Sequence, residues 1–247
     1  MRLFYMVRRS IIPWRDHHKL LWLGFAVLIF IISSPVICSA LDVRLAWDAP
    51  TAGPVVDGYR IFLREETENY VYESPEWEGS NTTCTVSGLA EGVAYYFVVR
   101  AFNESGESAD SNEVRASTVD LGYLETGQYE TTGKGKNSVS TFVLATDFNA
   151  GEEVSIHVYL EDESTGQPIT NATVKIAITG SESVTLISKS SGSDGVAEAI
   201  WETTAPKKKT SGTAPGDYEA IVTDIMADGY IWDGLSPVTT FVIQSDS

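Results

Sequence analysis

The chain has 247 residues, 17 Lys and Arg against 34 Asp and Glu, a formal net charge of −17, and 43% apolar and 11% aromatic residues. This is globular composition at a length for one large or two small domains, which excludes a collagen-like or wholly disordered chain. So acidic a balance argues against nucleic acid or an anionic membrane surface as partner, and two cysteines cannot build a disulfide scaffold.

In chain order, Arg2, Arg8, Arg9, Arg15 and Lys19 precede an uninterrupted apolar run from Leu20 to Ile32. Ser33, Ser34 and Pro35 break that run, and Cys38-Ser39-Ala40 supplies the small residues of a secretory cleavage site, placing the cut after Ala40. Counted on to Ile37, the segment nears the length of about 17–20 residues that spans a bilayer. Residues 1–40 therefore read as a signal peptide or an N-terminal membrane anchor. The bulky Ile37 speaks against lipidation of Cys38. With the basic residues on the N-terminal side, both readings export everything from residue 41 onward, and the chain meets the membrane only through residues 20–37, if they are kept. The exported part carries 12 basic and 33 acidic residues, a net charge of −21, with Cys84 its one cysteine and His157 its one histidine. Alternation puts Cys84 on the same face as Val86, as a small buried hydrophobe.

Beyond Ala40 no amphipathic helix is predicted. Short alternating strands broken by Gly, Pro, Asn and Asp predict an all-β fold of two tandem immunoglobulin-like β-sandwiches. Leu45-Ala46-Trp47 stops at Asp48-Ala49-Pro50. Tyr59, Ile61 and Leu63 share one strand face, and Tyr95, Phe97, Val99 and Ala101 share another. Trp47, Gly58-Tyr59, Leu89 six residues before Tyr95, and Asn103-x-x-Gly106 together resemble a fibronectin type III domain over residues 41–118. The resemblance implies that Leu89 and Tyr95 form that family's tyrosine corner. Trp47 lies only seven residues past the predicted cut, which leaves the family's first strand short or missing and an edge exposed.

Residues 119–130 read as a linker or an added edge strand, and 131–247 as the second sandwich. Its strands are marked by Val154, Ile156, Val158 and Leu160, by Val174, Ile176 and Ile178, by Ala197, Ala199 and Trp201, by Tyr218, Ala220 and Val222, and by Phe241 and Ile243. Three turn signatures, Gly166-Gln167-Pro168, Ser193-Asp194-Gly195 and Pro215-Gly216-Asp217, resemble the bacterial immunoglobulin-like modules of exported proteins.

Chemistry is thin in this inventory. His157 falls on the polar face of its strand and reads as a solvated surface residue. Gly133-Lys134-Gly135-Lys136 lacks the first glycine and the Ser or Thr of a phosphate loop. Asp224, Asp228 and Asp233 crowd one glycine-bearing segment, the weak possibility of a calcium site in a chain otherwise without cofactors. Lys207-Lys208-Lys209 reads as a solvated hairpin tip. Tyr70, Tyr72 and Trp77, set among glutamates, are the candidate ligand surface, since exposed rings stack on sugars or anchor a protein. The expectation is a non-catalytic exported or cell-surface protein for adhesion, spacing or protein contact. A carbohydrate-binding accessory protein is the alternative and a hydrolase a third reading. The partner is then a protein or a polysaccharide of the cell envelope.

Overall fold

The computed structural model describes residues 1–7 and 40–245. The first sandwich is formed by β1 (Leu3–Val7), β2 (Ala40–Trp47), β3 (Gly58–Glu65), β4 (Trp77–Gly79), β5 (Thr83–Ala90), β6 (Tyr95–Asn103), β7 (Gly106–Glu107) and the start of β8 (Val114–Thr132). A three-stranded sheet, β1-β2-β5, faces β4-β3-β6 and the start of β8. The inward set predicted from alternation fills the space between them, with Trp47, Tyr59, Ile61, Val86, Leu89, Tyr95, Phe97, Val99 and Ala101 all buried. Trp47 meets Tyr59 and Trp77 edge to face, at ring separations of 5.4 and 5.6 Å.

The missing first strand is supplied from the other side of the apolar segment. Backbone pairing runs antiparallel from Leu3 opposite Trp47 to Val7 opposite Val43, and Leu3 enters the core. The leader, the cleavage point and the membrane crossing were assigned to residues that are, apart from 1–7 and Ala40, outside the described ones. Among the described residues no helix is long and apolar enough to cross a membrane.

The second sandwich adds β9 (Val139–Leu144), β10 (Asp147–Asn149), β11 (Glu153–Asp162), β12 (Gln167–Pro168), β13 (Thr173–Gly180), β14 (Ser183–Ile187), β15 (Val196–Glu202), β16 (Gly216–Met226), β17 (Tyr230–Trp232) and β18 (Val238–Gln244). One sheet is β10-β18-β16-β13-β14; the other holds β11, β12, β15, β9 and the rest of β8. Every apolar position used to mark its strands is buried, around the aromatic cluster Phe148, Trp201, Tyr218 and Phe241. Gly195, at φ +76°, closes the turn that leads from β14 into β15, and a Cβ there would lie 2.6 Å from the Leu160 carbonyl, so only glycine fits.

Residues 119–130 belong to β8, which runs unbroken from one sandwich into the other. Val114–Ala116 pair with β6, Ser117–Val119 run parallel to β17, and Val119–Gly127 pair with β11. No loop separates the modules; one sheet passes through both.

Candidate functional site

The outer face of β3 and β6 is covered by the loop between β3 and β4. Phe62 and Val98 point away from the core yet are only 1% and 3% exposed, because Tyr72 packs edge to face on Phe62 at 5.1 Å. Three arginines interleave with the rings. Arg60 lies over Phe102 (4.5 Å), Arg100 over Tyr72 (3.4 Å) and Arg64 over Tyr96 (4.1 Å). Their guanidinium groups are taken by carboxylates in turn: Arg60 by Glu78 and Glu107, Arg100 by Glu107 and Asp110, Arg64 by Glu113. The Tyr70 hydroxyl donates to Glu113 (2.7 Å) and the Tyr72 hydroxyl to Asp110 (2.8 Å). Burial, then those carboxylates, pushes both phenols up from their ordinary value. Each cation–π contact of this exposed kind contributes about 0.5–1 kcal/mol, so the stack fastens the loop more than it readies a ligand site.

Trp77 takes no part in it. It pairs opposite Ile61 on the inner side and packs on Trp47. The candidate surface drawn from Tyr70, Tyr72 and Trp77 is therefore split across two faces of one sheet: the loop before β4 lays Tyr72 on the outer face against Phe62, and β4 turns Trp77 inward.

His157 is likewise not simply solvated. Its ring stacks on Phe142 at 3.7 Å, its Nε2 lies 3.4 Å from the Tyr129 hydroxyl and 3.6 Å from Glu198, and Glu198 also takes Lys189. The hairpin of β8 and β9 folds Phe142 over it, a contact that no local pattern announces. Asp147, Asp217 and Glu219 line an open groove with no histidine or cysteine beside them. Asp224 pairs across from Lys175 in the sheet, and Asp233 accepts from the Leu235 amide. Among the described residues no three His, Cys, Asp or Glu side chains converge as a metal ion requires. Lys207 bridges back to Thr210 in an exposed turn.

The most heavily built polar cluster is one that motif reading missed, at the junction of the sandwiches. Asp162, 3% exposed at the end of β11, accepts from Arg115 (2.5 Å), from the Ser117 hydroxyl (2.9 Å), and from the Ser164 hydroxyl and amide (2.6 and 3.0 Å). Burial pushes its carboxyl up, but the bonds from Ser164, Ser117 and Arg115 together outweigh burial and hold it below the ordinary carboxylate value. Arg115 also lies over the Tyr230 ring at 5.3 Å. Around the cluster, Gly92 donates to the Thr118 hydroxyl and Glu163 to the Thr118 carbonyl. Ile231 of β17 inserts into the first core, while Tyr230 and Trp232 pack on the second. Charged residues flanked by serines were invisible as a site because their partners lie 45–47 positions apart.

At the crossover between the sheets of the first sandwich, the Ala90 amide donates to the Tyr95 hydroxyl (3.1 Å), with Leu89 buried beneath. Residues 38–117 match the family model of the fibronectin type III domain. The first sandwich is a fibronectin type III domain. Two curated proteins align with part of the chain: fibronectin type-III domain-containing protein 3a of Gallus gallus, 33% identical over 89 residues, and chitinase A1 of Niallia circulans, 35% identical over 82. The alignments cover 35% and 33% of this chain but only 7% and 11% of those proteins, so the chain spans a small fraction of the relatives it matches. Among solved structures, a two-domain fibronectin type III segment of chicken tenascin is similar at 14% identity and a TM-score of 0.30, covering 83% of this chain and 94% of that one. The chicken interferon gamma receptor alpha chain is similar at 11% identity and a TM-score of 0.28, covering 82% and 92%. Fibronectin type III domains are in general non-catalytic modules of protein interaction and spacing, and a fold with so many uses assigns no partner by itself.

Proposed function

We propose that this protein is a non-catalytic, exported spacer that presents protein-binding surfaces at a fixed distance in the cell envelope. The observation that carries the reading is the junction. Tandem domains joined by a linker move relative to one another unless a large buried contact stops them. Here β8 crosses without a loop, Ile231 of β17 sits in the core of the first sandwich, and Asp162 is saturated by groups from both sides. A protein built to hold two modules rigidly needs such a joint. The polysaccharide reading loses ground because Tyr70 and Tyr72 are tied down by Glu113 and Asp110 and Trp77 faces the other way.

Spin labels on the exposed positions Glu104→Cys and Lys208→Cys test the spacer, in a chain carrying Cys38→Ala. Burial raises the Cys84 thiol to about 12, which keeps it from the label. One narrow distance distribution is expected. A broad or multimodal one removes the rigid-spacer reading. Cell fractionation with intact-mass measurement checks export, through the presence or loss of residues 1–40.

A further inference from the structure

We propose that the outer edge of β2 is a strand-acceptor site, held by residues Leu3–Val7 in the intact chain and, once the protein is exported, filled by an extended apolar segment of another exported protein. The proposal rests on the export reading above. In the structure β1 pairs with β2 over five positions, Leu3 opposite Trp47 through Val7 opposite Val43. The strand is pinned at its open end from both sides: the Leu3 amide donates to Asn112 Oδ1 (3.0 Å), and the Asp48 amide donates to the Arg2 carbonyl (2.9 Å). Leu3 is 3% exposed and packs in the same core as Leu45 and Trp47. This is the arrangement by which an extended peptide adds to a sheet edge, main chain for affinity and one side chain in a pocket for specificity.

That pairing and export exclude one another. Leu20–Ile37 lies between β1 and β2, so a membrane crossing there puts residues 1–7 on the far side from residue 40, and cleavage after Ala40 removes them. Either event leaves Val43–Trp47 with unpaired amides and carbonyls, no proline to block a ladder, and a vacant place where Leu3 sat. The native occupant defines the chemistry the edge accepts. It is an extended run of large apolar residues with a leucine seated in the core, preceded by a cation, Arg2, against a domain of net charge −9 over residues 41–118.

The test uses the exported protein purified from outside the cytoplasm, titrated with a labelled peptide of residues 1–8. Saturable one-to-one binding is expected, with a loss of at least about tenfold for the Leu3→Arg peptide, the change that an unburied leucine implies. Absence of binding, or equal binding of the Leu3→Arg peptide, overturns the proposal. So does a dimer joined through its β2 edges that the peptide fails to dissolve, which would assign the edge to a second copy. A protein found only in the cytosol with residues 1–40 intact sinks the export reading and with it the exported partner, leaving the edge to Leu3–Val7. In that event the full chain with Met6→Cys and Arg44→Cys, opposite one another in the ladder, must cross-link on oxidation. Failure to do so removes the acceptor site as well.

Discussion

Asp162→Asn is the sharpest probe of the junction. The wild-type carboxylate is almost wholly buried and accepts four hydrogen bonds, two of them from hydroxyls that an amide oxygen can still satisfy. What the substitution removes is the charged bond to Arg115, worth about 1.5–3 kcal/mol, and it leaves that guanidinium facing an amide. The opposite deletion, Arg115→Ala, strands a buried charge and should cost about 3–5 kcal/mol. The carboxyl is held below its ordinary value of 3.8, so its contribution is complete above that value and is lost as pH falls through the lower folded one. The stability gap between wild type and Asp162→Asn should therefore be widest near pH 7 and start to close once pH falls below 3.8. Urea unfolding followed at several pH values measures the gap directly, and subtracting the variant cancels the other carboxylates. A gap below about 0.5 kcal/mol at neutral pH, or one that does not narrow in acid, would refute the account of the junction.

Ile231→Ala, a change in the C-terminal half of the chain, should lower the stability of the fibronectin type III domain by about 2–5 kcal/mol, seen as faster hydrogen exchange over β3 and β6. Tyr95→Phe should cost about 1 kcal/mol of stability, read as a lower urea midpoint, by leaving the Ala90 amide without its hydroxyl acceptor. In Gly127→Ala the new Cβ would stand 2.3 Å from the Val143 carbonyl and 2.5 Å from the Phe142 ring, so hydrogen exchange over Val139–Leu144 should speed up while β13 and β16 stay protected. Cys84 should resist maleimide in the native protein and react only on unfolding, since burial both covers the thiol and raises it to about 12.

How legible each part was depended on whether a strand had one buried face or two. Val154, Ile156, Val158 and Leu160 alternate with outward residues, and so do Tyr95, Phe97, Val99 and Ala101; a period of two exposes such strands at once. The pattern fails where both faces are covered. Phe62 and Val98 fall on the nominally outer face, and only the loop carrying Tyr70 and Tyr72 buries them, so their burial is a tertiary fact with no local signature. The same failure hid β8. From Ala116 to Val119 four successive residues are buried, two of them hydroxyls, because the first core lies on one side and Asp162 with its partners on the other. Read locally, residues 119–130 pass for a linker or an added edge strand that starts where the first domain ends. β1 was hidden for a different reason: residues 3–7 sit inside what reads as the leader of a signal segment, and no periodicity over five residues competes with an apolar run of that length.

The charge that opened the sequence reading bears on the joint itself. The excess is spread over both modules, −9 across residues 41–118 and −12 across 119–247, so the two repel. With a Debye length of about 8 Å at physiological salt, most of that repulsion is screened between surfaces facing solvent, but it grows as salt is lowered. A tandem pair on a flexible linker would swing apart under such a force. The contacts that oppose it here are of the kind salt does not reach: a continuous backbone ladder, an isoleucine in the neighbouring core, and a carboxylate buried with its arginine. That choice of contacts accounts for an acidic chain placing one of its few arginines, Arg115, at the seam, where neutralising a single buried carboxylate matters more than trimming the net charge by one.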